Sequence, residues 1–126
     1  MQRVYSGAPW EAQVGYCRAV RAGNLIAVTG TAPVSDSGTV VAPGDAEAQA
    51  RRCLEIIDRA LAELGASREC IVRTPMFVTD IERSADVGRA HKALFGEHRP
   101  ATTMVEVARL IDRDMLIEIE ADAVIE

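Results

Sequence analysis

Residues 115–125 read MLIEIEADAVI, with an apolar side chain at every odd position and Leu116, Glu118, Glu120, Asp122 and Val124 between them. Successive side chains of a strand leave opposite faces, so this period of two marks a strand with one wholly apolar face and one mostly acidic face. The apolar face has to be covered, and the rest of the chain must supply the cover.

Working back from that strand, which is read over 114–125, residues 103–110 form another, separated from it by Ile111-Asp112-Arg113. Between Asp80 and Gly96 the side chains of Val87, Ala90, His91, Leu94 and Phe95 share one helical face, and Gly96 is expected to take the left-handed geometry that ends a helix. Residues 70–79, CIVRTPMFVT, read as a strand; Pro75 has no N–H for a ladder, so the strand must bulge or lie at an edge. A longer helix is predicted from an Asp45 N-cap, with Glu47 in its first turn and Cys53, Ile57, Ala60, Leu61 and Leu64 recurring before Gly65. Ser35 to Gly44 has loop composition, interrupted by Thr39-Val40-Val41. Residues 16–30, YCRAVRAGNLIAVTG, are two extended stretches joined at Ala22-Gly23-Asn24, a β-hairpin. Arg3 to Ser6 is a short strand ahead of a Gly7-Ala8-Pro9 breaker.

The predicted order is β-β-β-α-β-α-β-β, with no repeat or linker, in a single domain over 1–126. This is an α+β fold with both helices on one sheet face. The other face then carries Val105 and Val107, or Met104 and Ala108, depending on register. An uncovered apolar sheet face is usually an interface, so self-association is expected.

With 48% hydrophobic residues but only 4% aromatic, the core must be built from aliphatic side chains. A net charge of −5 gives no long-range attraction for nucleic acid or an anionic membrane. Arg18 and Arg21 alternate with apolar residues, and Arg51 and Arg52 sit near Glu47 and Glu55, so neither pair makes a basic patch. Cys17, Cys53 and Cys70 are odd in number and show no C-x-x-C spacing, which suggests reduced thiols and neither a disulfide framework nor a zinc cage. No apolar run approaches the ~18 residues of a membrane span, and a cytoplasmic location is expected.

Three segments carry a resemblance: Gly15-Tyr16 through Gly30-Thr31, Phe77-Val78-Thr79-Asp80, and Arg99-Pro100-Ala101 through Glu118-Ile119-Glu120-Ala121. Together they resemble the Rid (reactive intermediate deaminase, or YjgF) family over nearly the whole chain. The resemblance implies a chorismate-mutase-like fold and a homotrimer with a small-molecule cleft at each subunit interface, lined by two chains. It also implies hydrolysis of enamines and imines, released by pyridoxal-phosphate enzymes, to a 2-keto acid and ammonia, with no metal and no cofactor. Tyr16, Thr29 and Gly30 match positions that line that cleft, and Glu118 matches the glutamate that orients the attacking water. Met104 stands where deaminases have a cysteine, and Thr31 where glutamine is frequent.

In the deaminase branch an arginine on the penultimate strand grips the substrate carboxylate, since its planar fork matches two oxygens. The string PATTMVEV at 100–107 has Thr102 at that position. One neutral hydrogen bond is worth ~1 kcal/mol net, against roughly 1.5 to 3 for a charge-assisted one. Standard 2-iminobutanoate/2-iminopropanoate deamination is therefore not expected, unless Arg99, three residues earlier, reaches the cleft; an arginine at a strand entrance more commonly faces solvent.

Other readings of the same residues stay open. Glu118, Glu120 and Asp122 share one face, and a solvated acidic face explains them without catalysis. Tyr16 fits a ligand contact or ordinary packing. Cys17 has no adjacent base to activate it, and His91 and His98 have no metal-site spacing. Trp10 covers a cleft or anchors its loop. Three functions follow: an enamine/imine hydrolase on an atypical substrate, a non-catalytic trimer that binds a metabolite or a partner protein, or an endoribonuclease, which the acidity and the lack of a histidine pair oppose.

Overall fold

The computed structural model describes residues 1–126. Its elements are β1 (Gln2–Val4), α1 (Pro9–Val14), β2 (Ala19–Ala22), β3 (Leu25–Thr31), α2 (Ala46–Glu63), β4 (Ile71–Val78), α3 (Ser84–Phe95), β5 (Ala101–Glu106) and β6 (Ile117–Val124). The predicted order is present with one addition, the six-residue helix α1. Nothing in its apolar spacing announces it, because Glu11 is buried while Trp10 and Val14 are exposed. Pro9 starts it and Gly15, at φ 88°, ends it.

The strands form one sheet in the order β1-β2-β3-β6-β4-β5. All pairs are antiparallel except β4 with β5. The last two strands are therefore not neighbours. β5 returns parallel to β4 through the crossover helix α3 and takes the outer edge, while β6 lies between β3 and β4. Both are shorter than the sequence suggests, β5 ending at Glu106 and β6 beginning at Ile117.

Helices α2 and α3 cover one face. Ala50, Cys53, Leu54, Ile57 and Leu61 of α2, with Val87, Ala90 and Phe95 of α3, bury against Ile117, Ile119, Ala121 and Ala123 of β6. Asp45 caps α2, its Oδ1 accepting the Ala48 N–H at 3.0 Å. The helix closes at Gly65, whose φ of 78° lets the Ala66 N–H reach the Leu61 carbonyl at 2.9 Å. Inside this layer Gln49 is fully buried; its amide donates to the Val41 and Asp114 carbonyls, at 3.0 and 2.8 Å, and accepts from the Leu116 N–H at 2.8 Å.

One local expectation is corrected and one alternative is decided. Gly96 is right-handed, at φ −52°, and the positive φ falls on Arg99, at 54°. Arg99 precedes Pro100, whose ring disfavours the right-handed helical conformation there, so the chain reverses at Arg99 instead. Pro75 lies in an internal strand, not at an edge, and in regular register; the strand's one register shift falls earlier, between Ile71 and Arg73.

The other sheet face has no helical cover. Val105 pairs with Phe77 and Phe77 with Glu118, placing all three in one row on it. Leu25, Val105 and Val124 are 52, 42 and 38% exposed. Met104, paired with Met76, turns toward the helices and packs against the core, while Val107 lies past the end of β5.

Candidate functional site

Tyr16 and Arg18 lie in the short segment between α1 and β2, where the chain bends at Arg18. Arg18 is the one basic residue buried in the chain. Its Nη1 donates to the Gly30 carbonyl at 2.9 Å and to Thr31 Oγ1 at 3.1 Å, and its guanidinium carbon lies 6.0 Å from the centre of the Tyr16 ring. Thr31, fully buried, passes its hydroxyl hydrogen to the Thr29 carbonyl at 2.8 Å. These contacts tie the end of β3 to the start of β2.

Glu118 comes to the same place from β6. A β-carbon at Gly30 would stand 2.4 Å from its Oε2, so only the absence of a side chain at position 30 lets the carboxylate lie there. Burial raises the Glu118 pKa, the Glu120 charge raises it further, and the Arg18 charge opposes both. Beneath, burial and then the Glu118 charge push the Cys53 thiol up, which keeps it protonated. Glu118 is thus a half-buried carboxylate against a bare stretch of backbone, with a cation close by.

Glu11 braces this corner from α1. Its carboxylate accepts from the Ser6 N–H, the Ser6 hydroxyl and the Gly7 N–H, and lies 3.9 Å from Arg18 Nε.

Tyr16, Thr29, Gly30 and Glu118 are therefore brought together. Thr102 and Met104 are not, because they lie on β5 with β4 and β6 intervening. The Thr102 hydroxyl donates to the Thr74 carbonyl at 2.5 Å. Arg99 is exposed beyond α3, its Nε on the Gly96 carbonyl at 3.2 Å. His91 meets Thr74 Oγ1 at 2.8 Å, and His98 donates to the Ile71 carbonyl at 2.5 Å. No group of three or more His, Cys, Asp or Glu side chains is placed to share a metal ion, and no helix is long and apolar enough to cross a membrane. A concavity of about 650 Å³ on the helical layer is lined by residues such as Arg68, Lys92 and His98, and by none of the residues assembled around Gly30.

Sequence reading passed over Arg18 and Glu11. The signal for Arg18 was its place two residues from Tyr16, whose ring its guanidinium approaches. For Glu11, between Trp10 and Ala12, there was none.

A family model described as endoribonuclease L-PSP matches residues 6–125. A 2-iminobutanoate/2-iminopropanoate deaminase of Escherichia coli is 40% identical over 112 residues, 86% of this chain and 86% of that protein. An uncharacterized protein of Streptomyces coelicolor is 36% identical over 123 residues, 98% of this chain and 91% of its own length. A solved Mycobacterium tuberculosis member of the YjgF/YER057c/UK114 family is 45% identical, covers 98% of both chains and superposes with a TM-score of 0.89. Escherichia coli TdcF, solved with bound serine, is 33% identical over 88% of both chains, at a TM-score of 0.80. The chain belongs to this family, the YjgF or Rid family that its sequence resembles, and has the family's chorismate-mutase-like fold.

Proposed function

We propose that the protein is a hydrolase of enamine or imine substrates, acting in the cytoplasm as a homotrimer, with its cleft between subunits and its substrate held otherwise than by an arginine at position 102. The observation that carries this reading is the Glu118 carboxylate seated over Gly30, where burial raises its pKa and makes it a stronger base toward water. Water adds its oxygen to the imine carbon as Glu118 takes a proton. Glu118 returns that proton to nitrogen, giving the carbinolamine, and then carries the carbinol hydroxyl proton to the same nitrogen, so that the C–N bond breaks and ammonia leaves as the carbonyl forms. Water is the only co-reactant.

Two features support an interface cleft. Thr102 stands on the outer strand, apart from the Tyr16–Gly30–Glu118 corner, so a pocket containing both takes one from each of two subunits. The exposed Leu25, Val105 and Val124 supply apolar surface for that association. Bound serine in the related TdcF favours a ligand of amino-acid size.

A second reading, a trimer that binds a metabolite without turnover, is favoured by Thr102, whose hydroxyl hydrogen is already given to Thr74. An endoribonuclease, the activity in the family model's description, is disfavoured by the net charge of −5.

The test generates imines in situ from a range of amino acids with an amino-acid oxidase and follows 2-keto acid release, beside Thr102→Arg and Glu118→Gln. Wild type is expected to accelerate hydrolysis of at least one imine, and Glu118→Gln to lose about 10² to 10⁴ of that rate. Thr102→Arg is expected to gain on the smallest, 2-iminopropanoate. Silence of the wild type on every imine, with serine still bound, overturns the hydrolase in favour of the binding trimer.

A further inference from the structure

We infer that Arg18 is the anion anchor of this cleft: its free guanidinium edge receives the carboxylate of a small 2-imino or 2-keto acid beside Glu118. The inference rests on the cleft reading above and names the substrate handle that reading leaves open.

Arg18 is 9% exposed, and a buried guanidinium ordinarily has its donors matched. Here only half of it is. Nη1 is fixed on the Gly30 carbonyl and Thr31 Oγ1, which locks the plane of the group, while Nη2 has no hydrogen-bond partner in the chain. Nη2 is not sealed away, because no side-chain nitrogen or oxygen out of contact with solvent lacks a partner.

The Glu11 carboxylate pairs with the charge but leaves Nη2 without an acceptor. Glu11, the carboxylate in ion-pair range, is 3.9 Å from Nε, too far for a hydrogen bond, and its oxygens already accept from Ser6 and Gly7. Glu118 shares the site but lies over Gly30 and makes no hydrogen bond to Arg18. An oriented guanidinium with one edge free, beside a candidate base and the Tyr16 ring, has the geometry to grip a planar carboxylate. Arg18 holds the Gly30 carbonyl and the Glu118 carboxylate lies over the same glycine, so the two groups are close enough to act on one small molecule.

The substrate is then a small acid whose carboxylate points toward β2 and β3 and whose reacting carbon faces Glu118. This orientation differs from the one an arginine on β5 would impose. Thr102 is then free of an anchoring role.

The test measures binding of pyruvate and of its uncharged amide, pyruvamide, by NMR titration of the intact protein, for wild type, Arg18→Gln and Arg18→Lys. Imine hydrolysis, measured on the same preparations, reports separately on the hydrolase reading. Wild type is expected to bind pyruvate more tightly than pyruvamide. Arg18→Gln is expected to weaken pyruvate by at least about tenfold and leave pyruvamide unchanged, with Arg18→Lys, which keeps the charge but not the fork, in between. Melting curves establish which variants fold, and Arg18→Lys decides the matter if Arg18→Gln does not. Equal affinity of wild type for pyruvate and pyruvamide, or pyruvate binding unchanged in the folded variants, overturns the anchor even if imines are hydrolysed.

Discussion

The Glu118 carboxylate occupies the space that a side chain at Gly30 would fill: Oε2 lies 2.4 Å from the position of the missing β-carbon. One residue is the last but one of β3 and the other is the second of β6, so the contact exists only because these strands pair.

Gly30→Ala tests this contact directly. The atom it strikes is the end of a flexible side chain, so Glu118 swings aside and the fold survives. Displacement of a reacting group by about 1 Å can cost about 10² in rate. Imine turnover is expected to fall by about that factor while the melting temperature moves by less than about 4 °C. A large drop in melting temperature would show that backbone, rather than the carboxylate, yields.

The Glu118 pKa, raised by burial and by Glu120, sets two pH dependences. As a general base Glu118 must be ionised, so kcat/KM climbs with pH through its raised pKa. Glu120→Gln removes one raising influence and is expected to shift that acid limb to lower pH. For stability the sign is opposite. A carboxyl whose folded pKa exceeds its unfolded value contributes fully below the ordinary carboxylate range and loses that contribution as pH rises through the folded pKa. Glu118→Gln is therefore expected to melt higher than wild type near pH 7, and this gain is expected to vanish at about pH 3, where both states are protonated. A pH-independent difference would assign the effect to packing.

Gln49 connects the loop before α2 to the approach to β6. Replacing it with leucine leaves the Val41 and Asp114 carbonyls and the Leu116 N–H without their partner. At about 1 to 3 kcal/mol for each unsatisfied buried group, part of it recovered by water, a loss of about 3 kcal/mol is expected in urea unfolding. A loss below about 1 kcal/mol would mean that water replaces the amide without cost.

Local patterning was legible wherever the physical cause is local. The alternation at 115–125 located β6 and its buried face, and Asp45 and Gly65 marked both ends of α2, because period and capping depend on a few successive residues. The helix α1 escaped because it lacks an apolar stripe, and Gly96 misled because the turn runs on past it, the Arg99 N–H still reaching the Phe95 carbonyl.

What only tertiary structure decided is which residues meet. The strand order that inserts β6 between β3 and β4 carries Glu118 to Gly30, 88 positions apart in the chain, and leaves Thr102 on the far edge. Sequence identified Tyr16, Gly30 and Glu118 as candidates through resemblance, yet gave Arg18 no more weight than Arg21. The two differ in surroundings: Arg21 reaches the Leu64 carbonyl at the end of α2, while Arg18 is buried against Gly30 and Thr31. Burial and partnership belong to non-local packing, and no window along the chain contains them.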